Sequence, residues 1–325
     1  MVIQQYGGTE QFIEQEVPAP KIQDGHVIIK VAASSVNPLD TKIRAGLVQA
    51  NPPFPAILHG DVAGIVTEVG EGVDNIAIGD EVFGYAGGLK NYQGALADYM
   101  LADARLVTQK PDNLAFAEAA ALPVVFITAW KALIDRAQIQ PKDKVLIHAG
   151  TGGVGHMAIQ IAKWAGAQVY TTVSSEEKAE IARQLGADDT INYREESVEQ
   201  YVQRCTDGEG FDAVFDTVGT DNMDKSFQAA RVSGTIVTIA ARSSHDLSPL
   251  HGKNLSLHVV FIATPLLYNR DFDTQAEALE AMTSLAGDGY VRPLLDETIY
   301  SFKEVGQAHA KVEAGQALGK VVLLR

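Results

Sequence analysis

KVLIHAGTGGVGHMAIQIAKWAG, residues 144–166, reads as a strand, a glycine-rich turn and a helix. An apolar run leads to His148, Gly150, Gly152 and Gly155 follow in G-x-G-x-x-G register, and apolar residues then recur at helical spacing. In that register each glycine serves a separate purpose, with a tight turn at Gly150, close backbone approach to a pyrophosphate at Gly152, and helix-on-strand packing at Gly155. The amides of Thr151, Gly153 and Val154 open the helix, where N–H groups supply positive potential for phosphate. An ordinary glycine-rich turn shares the spacing, so the decision rests on what surrounds it.

Working outward, strand-like runs recur at AQVYTTV (167–173), TINY (190–193), DAVFDTV (212–218), GTIVTIA (234–240) and LHVVFI (257–262), separated by amphipathic helical stretches. Six strands alternating with helices predict an α/β fold with a doubly wound parallel sheet, the Rossmann arrangement of two mononucleotide-binding halves. Before this region, from Met1 to about Pro111, short β-like runs broken by Gly and Pro predict a compact, irregular β-rich domain. After it come helical patterns around 274–286 and 302–314 and a final apolar run, KVVLLR, which is expected to return to the first domain's sheet. The expected division is 1–115 with 265–325 for the β-rich domain and 116–264 for the dinucleotide-binding domain.

The end of the second strand selects the cofactor. An NAD enzyme places Asp or Glu there to hold the adenosine ribose hydroxyls, whereas this strand ends at Val173 and continues Ser174-Ser175-Glu176-Glu177-Lys178. Hydroxyls at Ser174 and Ser175, the charge of Lys178 and the phenol of Tyr193 suit a 2′-phosphate, so NADPH is expected. The alternative is that Glu176 or Glu177 binds ribose, or that Lys178 is a solvated helix residue.

Composition narrows the class further. Of 325 residues 46% are hydrophobic, and 26 Lys+Arg against 41 Asp+Glu leave a net charge of −15, which opposes nucleic acid and anionic membrane surfaces. A single cysteine, Cys205, excludes an intramolecular disulfide and any multi-thiolate metal site. No signal-like or membrane-spanning stretch is evident, and a cytoplasmic protein is expected.

SSVNPLDTKIRAG (34–46), GDVAGIVTEVGEGV (60–73), ALADYMLAD (95–103), AALPVVFITAWKAL (120–133), HAGTGGVGHMAIQIAK (148–163) and LGKVVLL (318–324) carry a resemblance to the medium-chain dehydrogenase/reductase superfamily, within it the zinc-free quinone oxidoreductase (zeta-crystallin-like) group. It implies a GroES-like catalytic domain built from both chain ends, an inserted Rossmann domain and NADPH in the cleft between them. Zinc alcohol dehydrogenases resemble G-H-E-x-A-G where this chain reads Gly60-Asp61-Val62-Ala63-Gly64 with His59 before it, and carry a ligand Cys where it has Asn37. No metal is therefore expected. Without a Lewis acid, reduction of a quinone or an α,β-unsaturated carbonyl is the favoured chemistry, since the substrate's own oxygen takes the charge.

By the same resemblance Asn37 borders the nicotinamide and substrate, and Lys42 stands where many relatives have a tyrosine. Tyr92 is a second candidate proton donor. Thr128 matches a threonine at the nicotinamide end, Phe261 and Ile262 are expected along the nicotinamide ribose, and Leu318-Gly319-Lys320 approaches from the returning tail. A solvated lysine and core strand residues are the plainer readings of Lys42, Phe261 and Ile262. Other readings of the whole chain are an NADPH-binding protein with a structural or sensing role and a zinc-type alcohol dehydrogenase. A homodimer joined through the sixth strand at the sheet edge is expected.

Overall fold

The computed structural model describes residues 1–325 and groups them into two compact units, Met1–Ile127 with Ile262–Arg325, and Thr128–Phe261. The chain opens with five strands, β1 (His26–Ser35), β2 (Asp61–Val69), β3 (Glu81–Tyr85), β4 (Tyr99–Asp103) and β5 (Val107–Gln109). Helix α1 (Pro38–Arg44) leaves β1 with Asn37 at its N-cap and Pro38 at its first position, where the missing N–H costs nothing. β1 is long enough to pair with β2 on one side and, at its start, with β4 on the other. Helix α2 (Phe116–Ala121) buries its alanines against β1 and β2, and α3 (Pro123–Trp130) follows. The change to helical texture at 116 thus precedes the end of the first unit at 127, because what α2 packs on, and not its composition, assigns it.

The second unit alternates β6 (Lys144–Ile147), α4 (Gly155–Trp164), β7 (Gln168–Val173), α5 (Glu176–Gln184), β8 (Asp189–Asn192), α6 (Val198–Thr206), β9 (Phe211–Asp216), α7 (Asn222–Ala229), β10 (Ala230–Thr238), α8 (Ser248–Lys253) and β11 (Ser256–Val259). All its strand pairings are parallel, in the order β11-β10-β9-β6-β7-β8. This is the six-stranded Rossmann sheet, with its topological switch point between β6 and β9. One core is built on Leu146, Val214 and Ile236 of the sheet with Tyr201, Cys205 and Phe227 of the covering helices. The sixth strand ends at Val259, short of the expected Ile262; Phe261 is half exposed and Ile262 is buried.

Helices α9 (Thr264–Tyr268), α10 (Phe272–Gly287) and α11 (Val305–Glu313) and strands β12 (Tyr300–Ser301) and β13 (Val322–Leu324) complete the first unit. β13 pairs antiparallel with the end of β1, so the apolar tail returns to that sheet. The result is the β-rich, GroES-like sheet expected for the chain ends, with the order β12-β13-β1-β2-β3-β5 and β4 beside β1.

Candidate active site

The loop after β6 is shaped by close contacts. A Cβ on Gly150 would lie 2.2 Å from the Thr171 hydroxyl, and one on Gly155 would lie 2.1 Å from the Ala149 carbonyl oxygen. Gly155 therefore lets the start of α4 lie directly on the turn that follows β6. The tight turn is different: the left-handed residue is Ala149, at φ 56°, while Gly150 is needed for its lack of side chain against β7. Around Gly152 only the Ala149 oxygen lies close, at 3.2 Å, so this stretch of backbone is bare. Thr172 holds the turn, its hydroxyl accepting from the Ala149 N–H at 3.0 Å and its carbonyl from Gly150 at 3.2 Å. The amides of Thr151, Gly153 and Val154 take no backbone partner and open α4, a ten-residue helix.

β7 and β8 run side by side toward the residues expected at a 2′-phosphate. Tyr193 donates its N–H to the Val173 carbonyl at 3.3 Å, which sets the chain at the end of β8 beside the end of β7, and its ring is half exposed. The Ser175 hydroxyl caps α5 by accepting from the Lys178 N–H at 3.4 Å, which places Lys178 one turn into that helix. Of the two acids that offered the alternative, Glu176 pairs with Arg183 at 2.8 Å and Glu177 is exposed.

A cavity of about 420 Å³ opens near the carboxyl ends of β6, β7 and β8, lined by His148, Thr172, Tyr193, Tyr201 and Asn222 among others. Three buried polar atoms on its lining have no partner: His148 Nε2, Tyr201 OH and Asn222 Nδ2. Burial lowers the His148 pKa to about 4, so the ring is neutral at physiological pH. Its Nδ1 lies 3.3 Å from the Thr172 hydroxyl. That hydroxyl also accepts from the Ala149 N–H, so Thr172 ties the His148 ring to the turn and leaves Nε2 facing the cavity. Bare glycine backbone, unpaired amides at a helix start and unsatisfied polar atoms on the cavity wall fit a dinucleotide.

The first unit holds a buried polar cluster of another kind. Asp61, fully buried on β2, accepts from Ser35 Oγ at 2.6 Å, Asn37 Nδ2 at 2.8 Å, Lys320 Nζ at 3.3 Å and the Val124 N–H at 3.0 Å. Lys320, almost wholly buried, donates to Asn37 Oδ1 at 2.5 Å and the Val36 carbonyl at 3.3 Å as well as to Asp61. Asp40 reaches back to the Asn37 N–H at 2.8 Å and so caps α1, and burial pushes its carboxyl up to about 7.

Of the residues expected near the substrate, the structure thus joins Asn37 to Lys320 and leaves the others apart from them. Lys320 is expected from sequence as a cofactor contact of the tail, but all three hydrogens of its ammonium are taken by Asn37, Asp61 and Val36. Gly319, at φ 65°, brings the chain so close to the Leu294 carbonyl that a Cβ would lie 2.0 Å from it. Lys42 is exposed on α1. Tyr92 bridges to Leu89 and lines a separate groove with Phe54, Tyr99 and Phe302, to which neither Asn37 nor Lys42 contributes. Thr128 is buried on α3. In the sequence Asp61 stands out only for the metal ligand partner it replaces. A further signal is present there, since Asp61 and Lys320 each sit in an apolar run and a charge buried there needs an opposite one.

The sequence matches the alcohol dehydrogenase GroES-like domain family over residues 23–112 and the zinc-binding dehydrogenase family over residues 153–284. It is 33% identical to the 2-methylene-furan-3-one reductase of Solanum lycopersicum over 98% of this chain and 76% of that protein. An alcohol dehydrogenase superfamily protein from Novosphingobium aromaticivorans superposes with a TM-score of 0.94 at 39% identity, covering 98% of each chain. The Escherichia coli quinone oxidoreductase in complex with NADPH gives 0.86 at 30% identity over 100% of this chain and 99% of that one. The chain belongs to the medium-chain dehydrogenase/reductase superfamily of NAD(P)-dependent oxidoreductases.

One matched family is described by zinc, and the donor set here can be compared with what that ion needs. Both Asp61 oxygens are occupied by protein hydrogens, and Asn37 supplies an amide in place of a thiolate. A Cβ at Gly60 would lie 2.1 Å from the Tyr85 ring, which leaves no room for a longer ligand there without a shift. His59 is engaged through Nδ1 with Ser34 and through Nε2 with His309. No three His, Cys, Asp or Glu side chains gather as a metal site. These residues do not fit a zinc ion.

Proposed function

We propose that this protein is an NADPH-dependent reductase of quinones or α,β-unsaturated carbonyls that works without a metal. The observation that carries the reading is the Asn37–Asp61–Lys320 cluster, a set of hydrogen-bonded amide, carboxylate and ammonium groups where a zinc enzyme needs ligands. A site without a Lewis acid suits a substrate that delocalises charge onto its own oxygen. When bound, NADPH would supply a hydride to the β-carbon of an enone or to a quinone, and a proton taken up from solvent would complete the reduction. The protein's part is to hold the dinucleotide on the glycine loop and to offer a hydrogen-bond donor to the oxygen that gains charge; Asn37 is that donor. NADPH is favoured over NADH because no acid ends β7 and because Ser174, Lys178 and Tyr193, which follow the ends of β7 and β8, are residue types that suit a 2′-phosphate.

The test is NADPH consumption by the purified chain with a panel of quinones and enones, with and without a strong chelator, beside elemental analysis for zinc. Turnover with at least one acceptor, undiminished by chelation and without stoichiometric zinc, is expected. Tight NADPH binding with no turnover on any acceptor would replace the reading by a structural or sensing role, and chelator-sensitive alcohol oxidation by a zinc dehydrogenase.

A further inference from the structure

The loop between β10 and α8 carries Ser243 and His245, and helix α7 carries Asp224. Their side chains form one hydrogen-bonded line. Ser243 Oγ lies 2.6 Å from His245 Nε2, and His245 Nδ1 lies 3.0 Å from Asp224 Oδ1. A carboxylate can only accept, so the hydrogen of the neutral ring sits on Nδ1, and Nε2 is left with a lone pair that accepts the Ser243 hydroxyl hydrogen. A hydroxyl, a base that takes its hydrogen and a carboxylate that fixes the base's tautomer are the parts of an activated serine nucleophile.

The arrangement is held from α7 and from both ends of the loop. Asp224 and Phe227 are three residues apart on that helix and so share a face. Asp224 bonds the ring, and Phe227 meets it edge-on with centroids 6.0 Å apart, which leaves the His245 side chain 11% exposed. Ser243, two residues earlier, is open to solvent. At the start of the loop Ile239 donates to the Asp216 carbonyl and Ala240 to the Thr238 hydroxyl. At its end Asp246 accepts from the N–H and the hydroxyl of Ser248, the first residue of α8. The backbone N–H groups of 241–247 take no partner in the protein. Those of Ser243 and Ser244 are therefore uncommitted beside the hydroxyl, where an oxyanion needs donors.

We propose that Ser243, His245 and Asp224 form a hydrolytic centre for short-chain carboxylic esters. Ser243 Oγ adds to the ester carbonyl carbon while its hydrogen passes to His245 Nε2. The bond from that carbon to the alcohol oxygen then breaks, and the alcohol leaves with the Nε2 hydrogen. Water attacks the acyl carbon, gives a hydrogen to Nε2, and the Oγ–carbon bond breaks as Ser243 takes that hydrogen back, which releases the carboxylic acid. Ser243 and His245 are the catalytic residues, and Asp224 is a positioning residue. Of the three, only Asp224 lines the neighbouring cavity, so the hydroxyl stands outside it and suits a small acyl group. The centre uses no dinucleotide and does not depend on the reductase reading.

The full chain is tested without NADPH, by hydrolysis of 4-nitrophenyl acetate and by labelling with a fluorophosphonate followed by peptide mass spectrometry. Wild type should hydrolyse the ester and carry the label on Ser243. Ser243→Ala should lose the label, and Ser243→Ala and His245→Gln should each lower the enzymatic rate about 100-fold or more, as for loss of a nucleophile or its base. Asp224→Asn should slow labelling at an unchanged melting temperature, and Asp224→Glu should restore it, which a merely structural contact would not do. No label on Ser243 in wild type, equal hydrolysis by Ser243→Ala, or equal labelling of His245→Gln would each overturn the centre and reduce the three contacts to a tether between loop and helix.

Discussion

Lys178 lies in the first turn of α5, and neither it nor Ser174 is drawn into an ion pair, whereas Glu176 is tied to Arg183. A lysine that contacts a 2′-phosphate makes a charge-assisted bond whose loss costs roughly 1.5–3 kcal/mol, or about 10- to 100-fold in affinity. Lys178→Ala is expected to weaken NADPH by that factor and to leave NADH nearly unchanged, measured as the two dissociation constants by fluorescence titration. An equal loss for both would separate Lys178 from the phosphate. The empty place for an acid after Val173 was readable because strand end and cofactor position are a few residues apart. The partnership of Glu176 with Arg183 was not, since helix spacing alone does not say which of several exposed charges will meet.

Helix α11 is docked through a pair of buried histidines. His309 Nε2 and His59 Nε2 are 2.8 Å apart, the rings stack with centroids 5.1 Å apart, and Phe12 meets His309 edge-on. The Ser34 hydroxyl donates to the Asp61 carbonyl, so it accepts from His59 Nδ1, and His59 Nε2 then accepts from His309. Both rings are neutral in this arrangement. Burial lowers the His309 pKa to about 3 and holds His59 well below its ordinary value. Because the folded-state pKa lies below the unfolded value of 6.5, the unfolded chain binds the extra protons. This contribution to stability is complete above about pH 6.5 and is lost as the pH falls toward 3. Asp40 works in the opposite direction: with a carboxyl raised to about 7, its contribution grows as the pH falls below 7. The melting temperature of wild type should therefore drop more steeply between pH 6.5 and pH 4.5 than that of His309→Phe, about these reference values. Equal slopes would show that the pair does not carry the acid sensitivity. The glycine loop, by contrast, was legible as an element, because its spacing, preceding strand and following helix are all local. Its one surprise, the left-handed Ala149, arises because Gly150 is needed bare against Thr171 of the neighbouring strand.

β11 pairs only with β10 and forms one edge of the six-stranded sheet, and Val259 and Phe261 at its end are about half exposed. An edge with unpaired backbone groups and apolar side chains favours pairing with a second copy. A homodimer is expected by light scattering at micromolar concentration, and Val259→Lys should shift the mass toward the monomer. A monomeric wild type would contradict it. The count of the Rossmann strands, the glycine loop and the missing ribose acid could all be read along the chain. Each depends on periodicity, or on residues close in sequence, and burial imposes that pattern locally. The meeting of Asp61 with Lys320, which are 259 positions apart, the capture of Asn37 between them and the assignment of α2 to the first unit needed the folded chain. A pattern of apolar residues tells which side of an element is buried, but the partner of a buried charge is chosen by how distant elements pack, and only there does desolvation make one pairing cheaper than the rest.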